Sequence, residues 1–141
     1  MPKAVIATLT LLITVLAIVI LSLSFGWYLM ILLVLLMPAM YIHILALVRI
    51  LKWAPRFYPV LFLSSITFVV FSLLRPDSDT FGNFSGYSAL LYNLGSAEKP
   101  YEDVWSFALE AAMILLLLMV YLDVFALVKA KQAKKKASGL T

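Results

Sequence analysis

Four apolar runs, at residues 5–24, 27–50, 57–74 and 105–128, fill most of this chain. Each is close to the roughly 20 residues that a helix needs to cross the hydrocarbon of a bilayer. Hydrocarbon holds no water to satisfy backbone N–H and C=O groups, so such runs must close their hydrogen bonds internally, as helices. The runs predict an all-α integral membrane protein with four transmembrane helices over residues 1–129 and a short basic tail over 130–141. With 65% hydrophobic residues, against roughly half in soluble domains, little polar sequence remains for a second domain. Lys3 followed by an apolar run ending at Ser22 and Ser24 imitates a secretory signal. The run exceeds the usual apolar region of about 7 to 15 residues, so it is expected to stay as the first span. Only Phe25 and Gly26 part it from the second, which predicts a tight helical hairpin.

Orientation follows from the basic residues, because Lys and Arg beside spans are held on the cytoplasmic side. Of the 11 Lys and Arg residues, all but Arg75 and Lys99 belong to one side: Lys3, Arg49, Lys52, Arg56, Lys129, Lys131, Lys134, Lys135 and Lys136. Both termini are therefore expected in the cytoplasm. Residues 75–104 become a long external loop carrying Asp77, Asp79, Glu98, Glu102 and Asp103. Trp53, Phe57 and Tyr58 mark the inner interface and Trp27, Tyr28, Tyr101 and Trp105 the outer one, where amphipathic rings sit at headgroup level. A multi-pass location follows, with a bacterial inner membrane favoured over a eukaryotic one. Lys129, Lys131, Lys134, Lys135 and Lys136 are candidate contacts for anionic lipid, at about 1 kcal/mol each near such a surface. Nucleic acid is not an expected partner, since neither aromatic interleaving nor a groove-reading fold accompanies these lysines.

The loop raises the question of a second site. Its opening, RPDSDTFGNFSG, sets Asp77, Asp79 and Gly82 at the spacing of a calcium loop, but Phe81 and Ser88 stand where two ligands belong. No metal site of that type is expected. Asp77, Asp79, Asn83, Tyr87 and Tyr92 are kept as candidates for binding at the external surface. The Asn83-Phe84-Ser85 triplet is a glycosylation acceptor only in a eukaryotic secretory setting. Further on, Tyr87, Leu90, Leu91 and Leu94 recur at helical spacing between Gly86 and Gly95. They predict a short amphipathic helix that caps the bundle or lies in the interface. Glu102 and Asp103 complement the dipole of the helix they precede.

Ionisable groups within spans are costly and mark functional candidates; here they are His43, Glu110 and Asp123. Counted from the cytoplasmic end of each antiparallel span at about 1.5 Å per residue, His43, Ser64, Ser65 and Asp123 all lie roughly 10 Å deep. Thr8 or Thr10 of the first span falls near that height, so every span can contribute to one polar stratum. Asp123 orienting His43 against Ser64 or Ser65 describes a proton relay or a hydrolase-like trio. Plain interhelical hydrogen bonds explain the same residues. Glu110 lies near the external end of its span, within reach of water. Pro38 removes a backbone hydrogen bond to Val34 and is expected to kink or locally open the second span.

Cysteine is absent, which removes disulfide frameworks, thiol chemistry and thiolate metal sites. A lone histidine lacks the second axial partner of a bis-histidine haem site, and no cofactor is expected. The first functional reading is an accessory or assembly subunit of a membrane complex, partnered by other membrane subunits or by itself. An ion- or proton-conducting channel or transporter using His43, Asp123 and Glu110 is the alternative. An intramembrane enzyme on a lipid-linked substrate ranks last, since the sequence displays neither an oxyanion hole nor an access route.

Overall fold

The computed structural model describes residues 3–23, 27–78, 82–95 and 105–137. It is almost entirely helical, and four of its helices are long and apolar enough to cross a membrane. Helix α1 spans Lys3–Leu23, α2 Trp27–Trp53, α3 Tyr58–Leu74 and α5 Trp105–Ala137, with a short α4 at Gly86–Asn93. Proline sets the junctions. Ala54, which precedes Pro55, leaves the helical region at φ −143° and ψ 59°, as the clash with a following proline ring favours. A single 3-10 turn, Pro55–Phe57, then leads into α3, whose first turn holds Pro59 where its missing N–H is not needed. At the other end of α3, Arg75 before Pro76 is extended in the same way. Pro38 lies inside α2, and the helix remains continuous through it.

The helices are not neighbours in chain order. α3 packs along both α1 and α5, and α2 packs along α5. Close backbone approach between α1 and α2 is slight among the described residues, so the expected α1–α2 hairpin is not the packed pair. The reason lies in α3, which buries Ser64, Ser65, Thr67 and Ser72 together with Leu61, Phe68 and Phe71. Small side chains let two neighbours approach its backbone, which is the main route to helix association where lipid is as apolar as leucine. On α1 the answering stripe is Thr10, Thr14, Ala17 and Leu21, at helical spacing.

Two apolar clusters fill the interior. One gathers Ala17, Leu36, Ala39, Phe68, Phe71, Ala112, Leu116 and Met119; the other gathers Ala46, Leu47, Ile50, Leu61, Ala126 and Ala130. Along α2, α3 and α5 the chain passes from one cluster to the other through His43, Ser64 with Ser65, and Asp123.

Beyond α3 the chain forms two three-residue strands, β1 (Pro76–Ser78) and β2 (Asn83–Ser85), paired antiparallel with Asp77 opposite Phe84. Gly86 then returns to α3, its N–H donating to the Arg75 carbonyl at 3.0 Å. A Cβ on Gly86 would lie 1.9 Å from the Ser72 carbonyl oxygen, so the residue must be glycine for α4 to start there. The Ser85 hydroxyl caps α4 by accepting from the Ser88 N–H at 3.1 Å, and Gly95 ends it at φ +104°. α4 buries Gly86, Ser88 and Ala89, while Tyr87, Tyr92 and Leu94 are exposed. The apolar residues read as its seat on the bundle therefore include several that face outward. Such close approach to the end of α3 admits only small side chains.

Candidate functional site

The polar stratum forms at the boundary of the two clusters. Asp123 of α5 sets Oδ2 at 2.8 Å from His43 Nδ1 on α2, while Ser64 of α3 donates to Asp123 Oδ1 at 2.7 Å. On the far side of the imidazole, Nε2 lies 3.1 Å from Thr14 Oγ1 on α1 and 3.4 Å from Ser65 Oγ on α3. Those two hydroxyl oxygens are 3.0 Å apart. All four long helices thus meet in one hydrogen-bonded layer whose members are at most 5% exposed. Phe68 closes it on one side, with its ring edge-on to the imidazole at 5.7 Å between centroids.

With Asp123 ionised, hydrogen-bonding capacity sets the roles. An ionised carboxylate only accepts, so Nδ1 carries a proton toward Asp123, and in the neutral ring Nε2 accepts from Thr14 or Ser65. Each of those hydroxyls also has a carbonyl of its own helix to donate to, Thr10 O for Thr14 and Leu61 O for Ser65, both at 3.0 Å. Asp123, His43 and Ser65 stand in the order carboxylate, imidazole, hydroxyl. Ser65 is nonetheless completely buried, and a nucleophile needs a substrate within reach.

Sequence counting brings together His43, Ser64, Ser65 and Asp123, and the structure does the same; it differs at α1. The partner there is Thr14. Thr8 is exposed, and the Thr10 hydroxyl donates to its own helix at Ile6 O, 2.7 Å away. Depth counted from helix ends assumes that all spans start level, which tilted helices do not. The signal that finds Thr14 is the small and polar stripe it shares with Thr10 and Ala17.

The other candidates are dispersed. Glu110 is exposed on the outer surface of α5, in line with Ile114, Leu117 and Tyr121. Asp77 does not face outward: it is fully buried and bonded to the equally buried Arg75, and its Oδ1 accepts from the Ser78 N–H at 2.9 Å. Burial pulls the Arg75 guanidinium below its ordinary value, and the hydrogen bond and charge of Asp77 oppose that pull. Sequence reading missed this pair; an arginine isolated from the other basic residues, two positions before an aspartate, was its signal. Asn83 is half-buried in β2, opposite Ser78, and Asp79 lies outside the described residues. Asn93 donates to Leu23 O at 3.0 Å, tying α4 to the end of α1. Among the described residues, no group of three or more His, Cys, Asp or Glu side chains is placed to hold a metal.

At the opposite end of the bundle, α5 runs on to Ala137 and carries its lysines as helix. Lys131 and Lys134 face α2, where they line a groove with Arg49 and Trp53. Lys129 instead lies over Phe125, 5.6 Å from the ring centroid, and Lys135 is exposed. The side chain of Lys136 is outside the described residues. No protein family, curated protein or solved structure matches this chain.

Proposed function

We propose that this protein is a small multi-pass membrane protein that works through its outer surfaces, as a subunit joined to other membrane proteins or to further copies of itself. The observation that carries this reading is the closure of the polar layer. The hydrogen bonds of Thr14, His43, Ser64, Ser65 and Asp123 all end on the chain itself, within a layer at most 5% exposed. Such a layer locks four helices in register and offers no free group to a substrate. What the protein presents is a set of apolar helix faces, and along one of them Glu110 precedes Ile114, Leu117 and Tyr121, each of the three 65% exposed. A carboxylate within a span normally faces a protein interior, and in an assembly that interior is an interface.

The test exploits the absence of native cysteine. Single cysteines at Ile114, Leu117 and Tyr121 are oxidised in the native membrane, and the full chain is sized in a mild detergent. A crosslinked dimer, or one partner at fixed stoichiometry, is the expected outcome. A monodisperse monomer that crosslinks to nothing at all three positions defeats the reading.

A second reading, proton transfer through the layer, has one observation in its favour. Protonated at Nε2, His43 donates to Thr14, and the Thr14 and Ser65 protons turn to the Thr10 and Leu61 carbonyls. The layer thus satisfies both charge states of the ring by rotating hydroxyls alone. Proton flux in proteoliposomes that is lost in Asp123→Asn and His43→Gln supports this reading; absence of flux with the intact chain removes it.

A further inference from the structure

The most sharply defined feature outside the polar layer is the groove between the C-terminal turns of α2 and α5. We propose that it is a specific site for a phosphate-bearing anion at headgroup level, beyond the general attraction of a lysine tail to a charged surface. Arg49 and Trp53, one helical turn apart on α2, form one wall; Leu127, Ala130, Lys131 and Lys134, on one face of α5, form the other. The groove is open on one side and has a volume of about 480 Å³, within the range of small-ligand sites.

Three features point to phosphate. The charge is of one sign: Arg49, Lys131 and Lys134 converge on the groove, and none of its lining residues is acidic. Of the described carboxylates, Asp77 and Glu110 belong to the far half of the bundle and Asp123 is held by His43 and Ser64. Arginine adds a planar set of donors suited to phosphate oxygens, and lysine adds point charge. The cations are also prearranged. Trp53, 50% exposed, holds the Lys134 ammonium 4.9 Å and the Lys52 ammonium 5.1 Å from its ring centroid, on the negative faces of the indole.

The carbonyl end of α2 opposes an anion, but part of it is already occupied. Ala54 N–H donates to Ile50 O at 3.0 Å and the Tyr58 hydroxyl to Leu51 O at 3.3 Å. Depth argues for a lipid source. The groove lies where the apolar span of α2 ends at Trp53, and its lining becomes apolar at Leu127 and Ala130. A headgroup phosphate would sit among the cations with its glycerol against that apolar end. A free phosphate would use the same cations without needing Leu127.

The experiment places the full chain in nanodiscs of zwitterionic lipid containing a minority of anionic glycerophospholipid. Anionic lipid carried per chain is then counted by native mass spectrometry. Arg49→Gln with Lys131→Gln and Lys134→Gln is compared with Arg56→Gln, Lys129→Gln and Lys135→Gln, which removes equal charge from residues that do not line the groove. The expected result is a loss of about tenfold or more in the groove variant and less than about twofold in the control. A second arm titrates inorganic phosphate against the intact chain in zwitterionic nanodiscs. Phosphate adducts that depend on Arg49, without preference for anionic lipid, assign the site to a soluble phosphate and uphold its chemistry. Equal losses in both variants, or no anion retained in either arm, overturn the proposal. A thermal melt of the groove variant matching that of the intact chain shows that a loss is not unfolding, and Arg49→Lys retaining at least half the bound anion confirms a role for charge at that position.

Discussion

At the scale of single residues, Asp123 decides whether the polar layer is a matter of hydrogen bonding or of packing. Its two oxygens serve two partners, His43 Nδ1 at 2.8 Å and Ser64 Oγ at 2.7 Å. Asp123→Leu removes the short acceptor of both groups and leaves only longer contacts, Ser64 Oγ to Met119 O at 3.4 Å and to His43 Nδ1 at 3.3 Å, and a poorly satisfied buried polar group costs about 1–3 kcal/mol. Asp123→Asn keeps an acceptor for His43 and turns its amide toward the Ser64 oxygen, so its loss is expected below about 1 kcal/mol, near the average of interhelical hydrogen bonds in membranes. Denaturation midpoints in detergent measure the difference; equal shifts for the two variants show that the carboxylate bonds stabilise nothing. Four of the five residues in this layer are legible in the sequence, because an ionisable or hydroxyl group deep in an apolar run stands out once the runs are set antiparallel. Thr14 is not, because a threonine can bond to its own helix anywhere, and its height depends on the tilt of α1.

At the scale of elements, the segment between α3 and α5 is a built cap. Strands of three residues containing Pro76, Asp77, Ser78 and Asn83 run against every β preference, so composition reads them as turns. They form because tertiary contacts at their ends hold them: Gly86 N–H on Arg75 O, and Asp77 on Arg75 in the interior. Gly86→Ala places a methyl 1.9 Å from the Ser72 carbonyl oxygen in the last turn of α3, so backbone must shift to admit it. A loss of about 1–3 kcal/mol is expected, in the range of overpacked cores. It should be local. Hydrogen exchange is expected to rise across residues 82–95 and stay unchanged around His43 and Asp123; uniform loss of protection contradicts a cap that folds onto a preformed bundle. Asp77→Asn removes the carboxylate bonded to the buried Arg75 guanidinium, and a loss of about 1.5–3 kcal/mol, the worth of a hydrogen bond to a charged group, is expected from denaturation midpoints in detergent.

At the scale of the whole molecule, the number of spans is legible and their neighbours are not. Hydropathy counts helices, but in lipid the packed and the lipid-facing sides are equally apolar: Leu36 and Ala39 are buried while Val34 and Ile31 on the same helix are exposed. Charge carries the information that hydropathy lacks. Lys3 at the start of α1, Arg49, Lys52 and Arg56 around the α2–α3 junction, and the lysines of α5 belong to one end of the bundle, and the buried Arg75 to the other. With its 33 residues α5 is about 50 Å long, against a hydrocarbon core of about 30 Å, so its basic turns project past the membrane on that same side. The expected orientation is both termini in the cytoplasm. A reporter that fluoresces only after folding in the cytoplasm should be bright when fused after Thr141, and an enzyme active only after export should be active when inserted at residues 96–99. The inverse result would place the groove of Arg49, Lys131 and Lys134 on the outer leaflet. Its lipid source would then have to be sought there, while the polar layer, which the chain closes on itself, would be the same in either orientation.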